Sequence, residues 1–233
     1  GLQCPGPILK MKKTMDTLAS GDRVEITSTD PGFPRDAAAW CNSTGNQLIS
    51  KEATGGKSVV VIEKGEPKSC NIVTSCEGKG KTFIMFSDDL DKALATFVLA
   101  NGAAATGQKV TIFFTFWGLN VIKKLHKPNV EKDIFGKMFG MMLPSSSRKL
   151  KLSKMSMGGI GGKMMRYIMN RKGIDSLESL RQQALENGVE FIACQMSMDV
   201  MGVKQEELLD EVTIGGVATY MERADNANIN LFI

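Results

Sequence analysis

A stretch with few large apolar side chains, residues 66–80, divides the sequence into two segments that each carry strand and helix patterns. A proline and two glycines lie in this stretch, and residues of these types interrupt regular structure. A chain of 233 residues is long enough for one large domain or two small ones. The interruption favours two, with a first domain at 1–65, a linker at 66–80 and a second domain at 81–233.

The first domain begins with a helical pattern. Ile8, Met11, Met15 and Leu18 recur every three or four residues, which predicts a helix over residues 4–20. The later patterns predict a strand at 23–28, a helix at 34–44 and a hairpin of strands at 47–53 and 58–63 around Gly55-Gly56. These elements make a compact α/β unit.

Strands alternate with helices throughout the second domain. The longer elements are strands at 82–86, 109–116 and 189–193 and helices at 88–106, capped by Ser87, and 176–187. Shorter helical stretches are predicted at 119–125, 206–211 and 217–223, and short strands at 212–213 and 228–232. Such alternation implies a parallel sheet that is covered by helices on both faces.

The inventory of thiols and imidazoles restricts the chemistry. Five cysteines are an odd number and are widely scattered, which favours a reducing cytoplasm over a disulfide framework. The single histidine, His126, is expected in a solvated loop, so zinc sites and Cys-His pairs are disfavoured. The sequence has no apolar run of about 18 residues for a spanning helix and no secretory leader. We expect a cytoplasmic protein without a metal or a resident cofactor.

Cys4 stands at the predicted start of the first helix, between Gln3 and Pro5. Free backbone N–H groups and the positive end of the helix dipole stabilise a thiolate or persulfide at such a position. Prolines in the first turn of a helix cost little and stiffen the approach of the chain. The alternative is that Cys4 merely packs or caps the helix.

The run Cys4-Pro5-Gly6-Pro7 resembles the Cys-Pro-x-Pro signature of the TusA/SirA sulfur carriers. The turn Asp30-Pro31-Gly32 and the pair Trp40-Cys41 extend the likeness over residues 1–65. The resemblance implies a two-layer α/β sandwich in which Cys4 carries a persulfide. The first strand of that family would precede Gly1, so we expect that this chain is part of a longer polypeptide.

Cys194 follows the apolar strand of residues 189–193. Reactive groups gather at the carboxyl ends of strands in parallel sheets, although a small buried hydrophobe is the alternative. Ala193-Cys194-Gln195-Met196-Ser197-Met198-Asp199, Thr115-Phe116-Trp117-Gly118-Leu119 and residues 151–155 resemble the Met-rich, peroxiredoxin-labelled branch of the DsrE/DsrF family. The resemblance implies a three-layer, flavodoxin-like parallel-sheet domain that forms homo-oligomers and exchanges persulfide sulfur through Cys194. No Thr-x-x-Cys pattern supports a peroxidase.

The other three cysteines have lesser expected roles. Cys41 lies in the second helix and is expected in the core. Cys70 and Cys76 share the linker, where they suit a disulfide or a resolving thiol.

Residues 134–174 form a basic, methionine-rich segment. They contain nine lysines and arginines and no acidic residue, and eleven of the fifteen methionines lie between Met138 and Met201. An irregular core is one explanation of the methionines; an adaptable partner surface or a bilayer interface is another. The charge favours an anionic partner such as an acidic protein face, an anionic membrane surface or a phosphate-bearing ligand. Paired glycines at 158–159 and 161–162 predict a mobile loop over Cys194.

Three functions remain open at this point. The first is a sulfurtransferase-like persulfide relay between Cys4 and Cys194, whose partners are sulfur donor and acceptor proteins of the rhodanese, TusA and DsrE types. The second is a dithiol–disulfide oxidoreductase, against which the lack of Cys-x-x-Cys argues. The third is a basic module that binds membrane, RNA or protein; few aromatic residues accompany the basic ones, so no specific nucleic acid is expected.

A pairing of TusA-like and DsrE-like domains also resembles the tail of larger polypeptides that begin with a flavin-dependent disulfide reductase and a rhodanese domain. No Gly-x-Gly-x-x-Gly fingerprint occurs in these residues, so neither NAD nor FAD is assigned to them.

Overall fold

The computed structural model describes residues 6–29, 33–66, 80–126 and 134–233, together with residues 128, 130 and 132. Cys4, Cys70 and Cys76 lie outside the described residues. The described chain forms two α/β units, one on each side of residues 67–79.

The first unit is a three-stranded antiparallel sheet covered by two helices. Its elements are α1 (Gly6–Asp16), β1 (Arg23–Ser28), α2 (Phe33–Thr44), β2 (Gln47–Thr54) and β3 (Lys57–Glu63). β3 is central, in the order β1-β3-β2, and pairs Val60 with Ile26. Met11, Met15 and Trp40 of the helices pack against Val60 and Ile62 of β3. This confirms the predicted two-layer sandwich.

The second unit is a parallel five-stranded sheet. Its regular elements are β4 (Gly80–Met85), α3 (Leu90–Ala105), β5 (Val110–Phe114), α4 (Ile134–Met142), α5 (Ile160–Arg171), α6 (Leu177–Glu186), β6 (Glu190–Cys194), α7 (Gln195–Met201), β7 (Thr213–Gly215), α8 (Val217–Asp225) and β8 (Ala227–Phe232). The strand order is β7-β6-β5-β4-β8, and every pairing is parallel. All five residues of β5, the central strand, are buried.

Helices cover both faces of this sheet, because alternate side chains of each strand point to opposite faces. Ile112, Phe114 and Phe191 pack with Phe97 of α3 and Leu180 of α6 in the main core. On the other face, Phe113, Ile192 and Cys194 pack against Tyr220 of α8. The predicted three-layer, flavodoxin-like arrangement is confirmed.

The basic segment differs from the predicted loop. Residues 134–142 and 160–171 form α4 and α5, with 3-10 turns at Ser147–Lys149 and Met157–Gly159 between them. Gly161 and Gly162 lie in the first turn of α5 and are buried. A Cβ atom on Gly161 would lie 2.1 Å from the carbonyl oxygen of Met155. These glycines therefore serve close packing rather than a loop.

Two smaller differences concern helix starts. Asp89, not Ser87, is the N-cap residue of α3, while the Ser87 hydroxyl accepts the Asp89 N–H at 3.1 Å. Residues 195–201, to which the sequence assigned no helix, form α7. The strand limits of β1 agree with the prediction, whereas Ser176, predicted as the first residue of a helix, is the N-cap of α6.

The two units are docked against each other. The indole N–H of Trp40 donates a hydrogen bond to the carbonyl oxygen of Ala105 at the end of α3, and Ala105 is buried in the core of the first unit. Lys13 of α1 also pairs with Glu186 of α6 at 3.2 Å. The contact joins α1 and α2 to the carboxyl ends of α3 and α6.

Candidate functional site

The start of α1 is an amide-rich helix end. Cys4 precedes its first residue, Gly6, by two positions in the sequence and lies outside the described residues. Gly6 and Pro7 are buried, and the first turn contains no acidic residue. The first N–H groups of a helix have no acceptor within the helix and form its positive end. This end of α1 therefore favours an anionic group.

A cleft of about 480 Å³ opens beside this helix, between α1 and β1. Pro7, Met11, Val24 and Ile26 supply apolar walls, and Lys10 adds a positive charge. Glu25 and Lys57 also line the cleft, so its walls combine apolar side chains with charges of both signs.

Cys194 is the last residue of β6 and directly precedes α7. It is a free thiol, lies opposite Gly215 in the pairing with β7 and has only 6% of its surface exposed. Phe113 and Tyr220 pack around it. The structure thus places Cys194 at the carboxyl edge of the sheet, where the sequence predicted it, in a small apolar cluster.

Polar residues follow the neighbouring strands at the same edge. The hydroxyl groups of Thr115, after β5, and Ser197, in α7, are hydrogen-bonded at 2.8 Å and both are buried. The side-chain amide of Asn120 donates to Asp88, after β4, at 2.9 Å. Burial raises the pKa of Asp88. Sequence reasoning missed these pairs because spacing along the chain gave no sign that they meet.

The structure does not bring the start of α1 close to Cys194. Gly6 and Lys13 line a groove with Glu186 and Asn187 at the end of α6, which lies beside the amino end of β6. Cys194 lies at the carboxyl end of the same strand, four residue steps or about 13 Å further along. In this arrangement the start of α1 and Cys194 belong to opposite edges of the sheet.

The remaining thiol and imidazole of the described chain play no part in this site. Cys41 is buried in the first core, as predicted, and burial raises the pKa of its thiol to about 11. His126 is exposed, as predicted. Among the described residues no group of three or more histidine, cysteine or acidic side chains is placed to hold a metal ion.

Comparison with protein families finds a match for each of two consecutive parts of the chain. The model of the "DsrE/DsrF/DrsH-like family" matches residues 78–232, and the model described as "Sulfurtransferase TusA" matches residues 1–64.

Three curated relatives each match one of these two parts of the chain. The protein YrkE of Bacillus subtilis is 44% identical over 155 residues, which cover 66% of this chain and 97% of YrkE. The sulfur carrier protein DsrE2 of Allochromatium vinosum is 38% identical over 161 residues, covering 67% of this chain and 99% of DsrE2. The sulfur carrier protein TusA of the same organism is 42% identical over 64 residues, covering 28% of this chain and 84% of TusA.

Among solved structures, the YchN protein of Escherichia coli is similar with a TM-score of 0.38 and 10% identity, over 66% of this chain and 99% of YchN.

Proposed function

The chain belongs to the DsrE/DsrF/DrsH-like family and carries a TusA domain ahead of it, and from this we propose that it relays sulfur as cysteine persulfides. Both families consist of sulfur carriers, so the chain is a sulfur-trafficking protein. The occurrence of the two carrier domains in one chain is the observation that carries the proposal. Cys4 and Cys194 are the proposed sulfur-bearing residues.

The proposed step is a thiol–persulfide exchange. The thiolate of one cysteine attacks the outer sulfur of the persulfide on the other; a new S–S bond forms as the old one breaks. The cysteine that carried the persulfide leaves as a thiolate and takes up a proton, so sulfur moves without net oxidation or reduction. The positive end of α1 supports this step at Cys4, because it favours the thiolate over the thiol.

The docked arrangement favours exchange between molecules. The start of α1 lies beside Glu186 and Asn187, near the amino end of β6, whereas Cys194 is the last residue of that strand. We propose that each thiol meets a partner from another polypeptide: a sulfur donor such as a rhodanese-like protein, an acceptor, or a second copy of this chain.

Peptide mass spectrometry after incubation with a sulfane-sulfur donor tests the assignment. The wild-type chain is expected to gain the mass of one sulfur atom at Cys4, and Cys4→Ser is expected to lose that adduct. Cys41→Ser is the matched control, because Cys41 is buried in the core and unused. An unloaded wild-type chain, or an equal adduct on Cys4→Ser, contradicts the proposed role of Cys4.

A mixing experiment tests exchange between chains. Cys194→Ser is loaded with sulfur and added to an isotope-labelled Cys4→Ser chain. Sulfur on Cys194 of the labelled chain, appearing at a rate that rises with protein concentration, supports transfer between molecules. If the wild-type chain transfers sulfur to Cys194 at a concentration-independent rate and the mixed variants do not, transfer occurs within one chain.

A further inference from the structure

The second unit exposes large apolar side chains on its basic segment. Met141 is 83% exposed, and five further apolar residues between positions 142 and 167 have more than half of their surface in contact with solvent. We call these six residues the methionine face: Met141, Met142, Met155, Met157, Ile160 and Tyr167. Large apolar side chains exposed together in one segment of the chain indicate an interaction site on a folded protein.

The packing of α5 shows that this exposure is built into the fold. Ile160 and Tyr167 lie seven residues apart and so share one side of the helix, where both are exposed. Gly162 and Met169 lie on the opposite side and are buried. The helix therefore packs through one side, and the apolar residues on its other side are exposed to solvent.

The charges around the methionine face have one sign. Residues 134–174 contain no Asp or Glu, and Lys137, Lys154, Lys163 and Arg171 are exposed. Among the described residues of this segment, only Arg166 forms an ion pair, with Glu178 at 3.1 Å. The nine basic residues of the segment leave the rest of the chain with a net charge of −5. The occupant of this surface must accordingly be anionic.

The methionine face belongs to the edge of the sheet that holds Cys194. The N–H of Leu90, at the start of α3, donates to the carbonyl oxygen of Lys151 at 2.7 Å, and this end of α3 lies at the carboxyl edge. α4 packs on α7, which follows Cys194 directly, through the close approach of Gly136 and Gly202. The segment is thus fixed to the carboxyl edge at two points.

We propose that the methionine face lies on the surface of an anionic phospholipid bilayer. Its thioether and apolar side chains enter the boundary of the acyl chains, and the surrounding lysines and arginines contact the headgroup phosphates. No described helix has the length and apolar character to cross a membrane. A second copy bound face to face would place like charges together, which disfavours that arrangement. The proposal places the Cys194 edge of the sheet at a membrane, independently of the sulfur chemistry.

Co-sedimentation of the full chain with vesicles tests the proposal. Binding to vesicles that contain phosphatidylglycerol is expected to exceed binding to phosphatidylcholine vesicles and to weaken as salt rises. Each basic residue near an anionic surface contributes about a fivefold factor, so Lys154→Glu with Lys163→Glu is expected to weaken binding by at least about 25-fold. Lys57→Glu, at an exposed position of the first unit, is the matched control and is expected to bind normally.

The apolar contribution is tested with Met141→Ser and Met142→Ser together. Both methionine side chains are exposed and lie outside the core, so their loss does not disturb the packing of the fold. Leu99→Ser, at an exposed position on α3, is the control. Cys194→Ser is expected to bind as the wild type does, which separates this proposal from the relay. A wild-type chain that stays in the supernatant, or binds both vesicle types equally, overturns the proposal. The proposal is also overturned if the wild-type chain does not bind vesicles but self-associates or binds an acidic protein, and the same variants lose that binding.

Discussion

Gly118 is the position where one added methyl group is expected to damage the carboxyl edge most. A Cβ atom at Gly118 would lie 1.9 Å from the carbonyl oxygen of Met85, the last residue of β4. The N–H of Gly118 donates to the carbonyl oxygens of Phe86 at 2.8 Å and Thr115 at 3.0 Å. The Met85 carbonyl also accepts the Thr115 N–H at 3.1 Å. Relief of the clash therefore requires movement of atoms that several hydrogen bonds hold in place.

The expected cost of Gly118→Ala follows from these contacts. Overpacking a well-packed region costs about 1–3 kcal/mol, and each hydrogen bond that is lost adds about 1 kcal/mol. We expect a loss of about 4 kcal/mol in the free energy of unfolding of the second unit, or a drop of about 12 °C in its Tm.

Gly102→Ala is the matched control. Gly102 lies inside α3, and a Cβ atom there would meet nothing within 4 Å. Because alanine forms helices better than glycine, this substitution is expected to stabilise the unit by about 1 kcal/mol. Urea denaturation followed by circular dichroism measures both changes, and hydrogen exchange of the β4 and β5 amides localises them, with β1–β3 as an internal reference. Equal stability of Gly118→Ala and the wild type would refute the packing argument.

Three further predictions concern buried thiols, acid stability and the contact behind Cys194. Burial raises the pKa of Cys41 to about 11, so alkylation of the native chain at pH 8 should leave Cys41 unmodified until urea unfolds the first unit. Burial alone would raise the pKa of Glu178, but its arginine partner and a serine hydroxyl lower it; the stability that it contributes is present above about pH 4.5 and is lost as the pH falls. Glu178→Gln should therefore flatten the acid side of the stability profile measured by denaturation. Gly202→Ala should speed the alkylation of Cys194, because the added Cβ atom would lie 2.4 Å from the Cα atom of Gly136 and disturb the contact of α7 with α4. Gly188→Ala is the control: Gly188 also has a positive φ but open space around it, so alkylation of Cys194 should not change.

Local periodicity was sufficient for the eight strands and for α1, α2, α3, α6 and α8, with small shifts at their ends. β1 was predicted with its observed limits, and the strand of residues 189–193 is β6 shifted by one residue. Apolar alternation and helical spacing carry such elements because the same residues that set the pattern form the core. The position of Cys194 at a strand end followed from the same reasoning.

The missed features depend on contacts between distant residues. Gly161 and Gly162 resemble a helix break in the sequence, yet in the structure they allow α5 to approach the backbone at residues 150–155. α7 has only seven residues, and its N-cap, Cys194, makes no side-chain capping bond. The hydrogen bond from Trp40 to Ala105 spans 65 positions, and no local sequence pattern predicts it. For this reason the sequence did not predict that the two units dock.

A persulfide carrier has to protect its sulfur from water and other thiols and still deliver it. In the proposed relay, the burial of Cys194, which has only 6% of its surface exposed, meets the first requirement, because it keeps competing nucleophiles away. The second requires a partner that reaches the carboxyl edge, and the chain's own TusA domain is docked at the other edge, through Trp40 and Lys13. Delivery within one chain would have to break that docking, at the cost of a buried hydrogen bond and the apolar contact around Ala105. Delivery to a second polypeptide costs neither, and this difference is why the proposed relay runs between molecules.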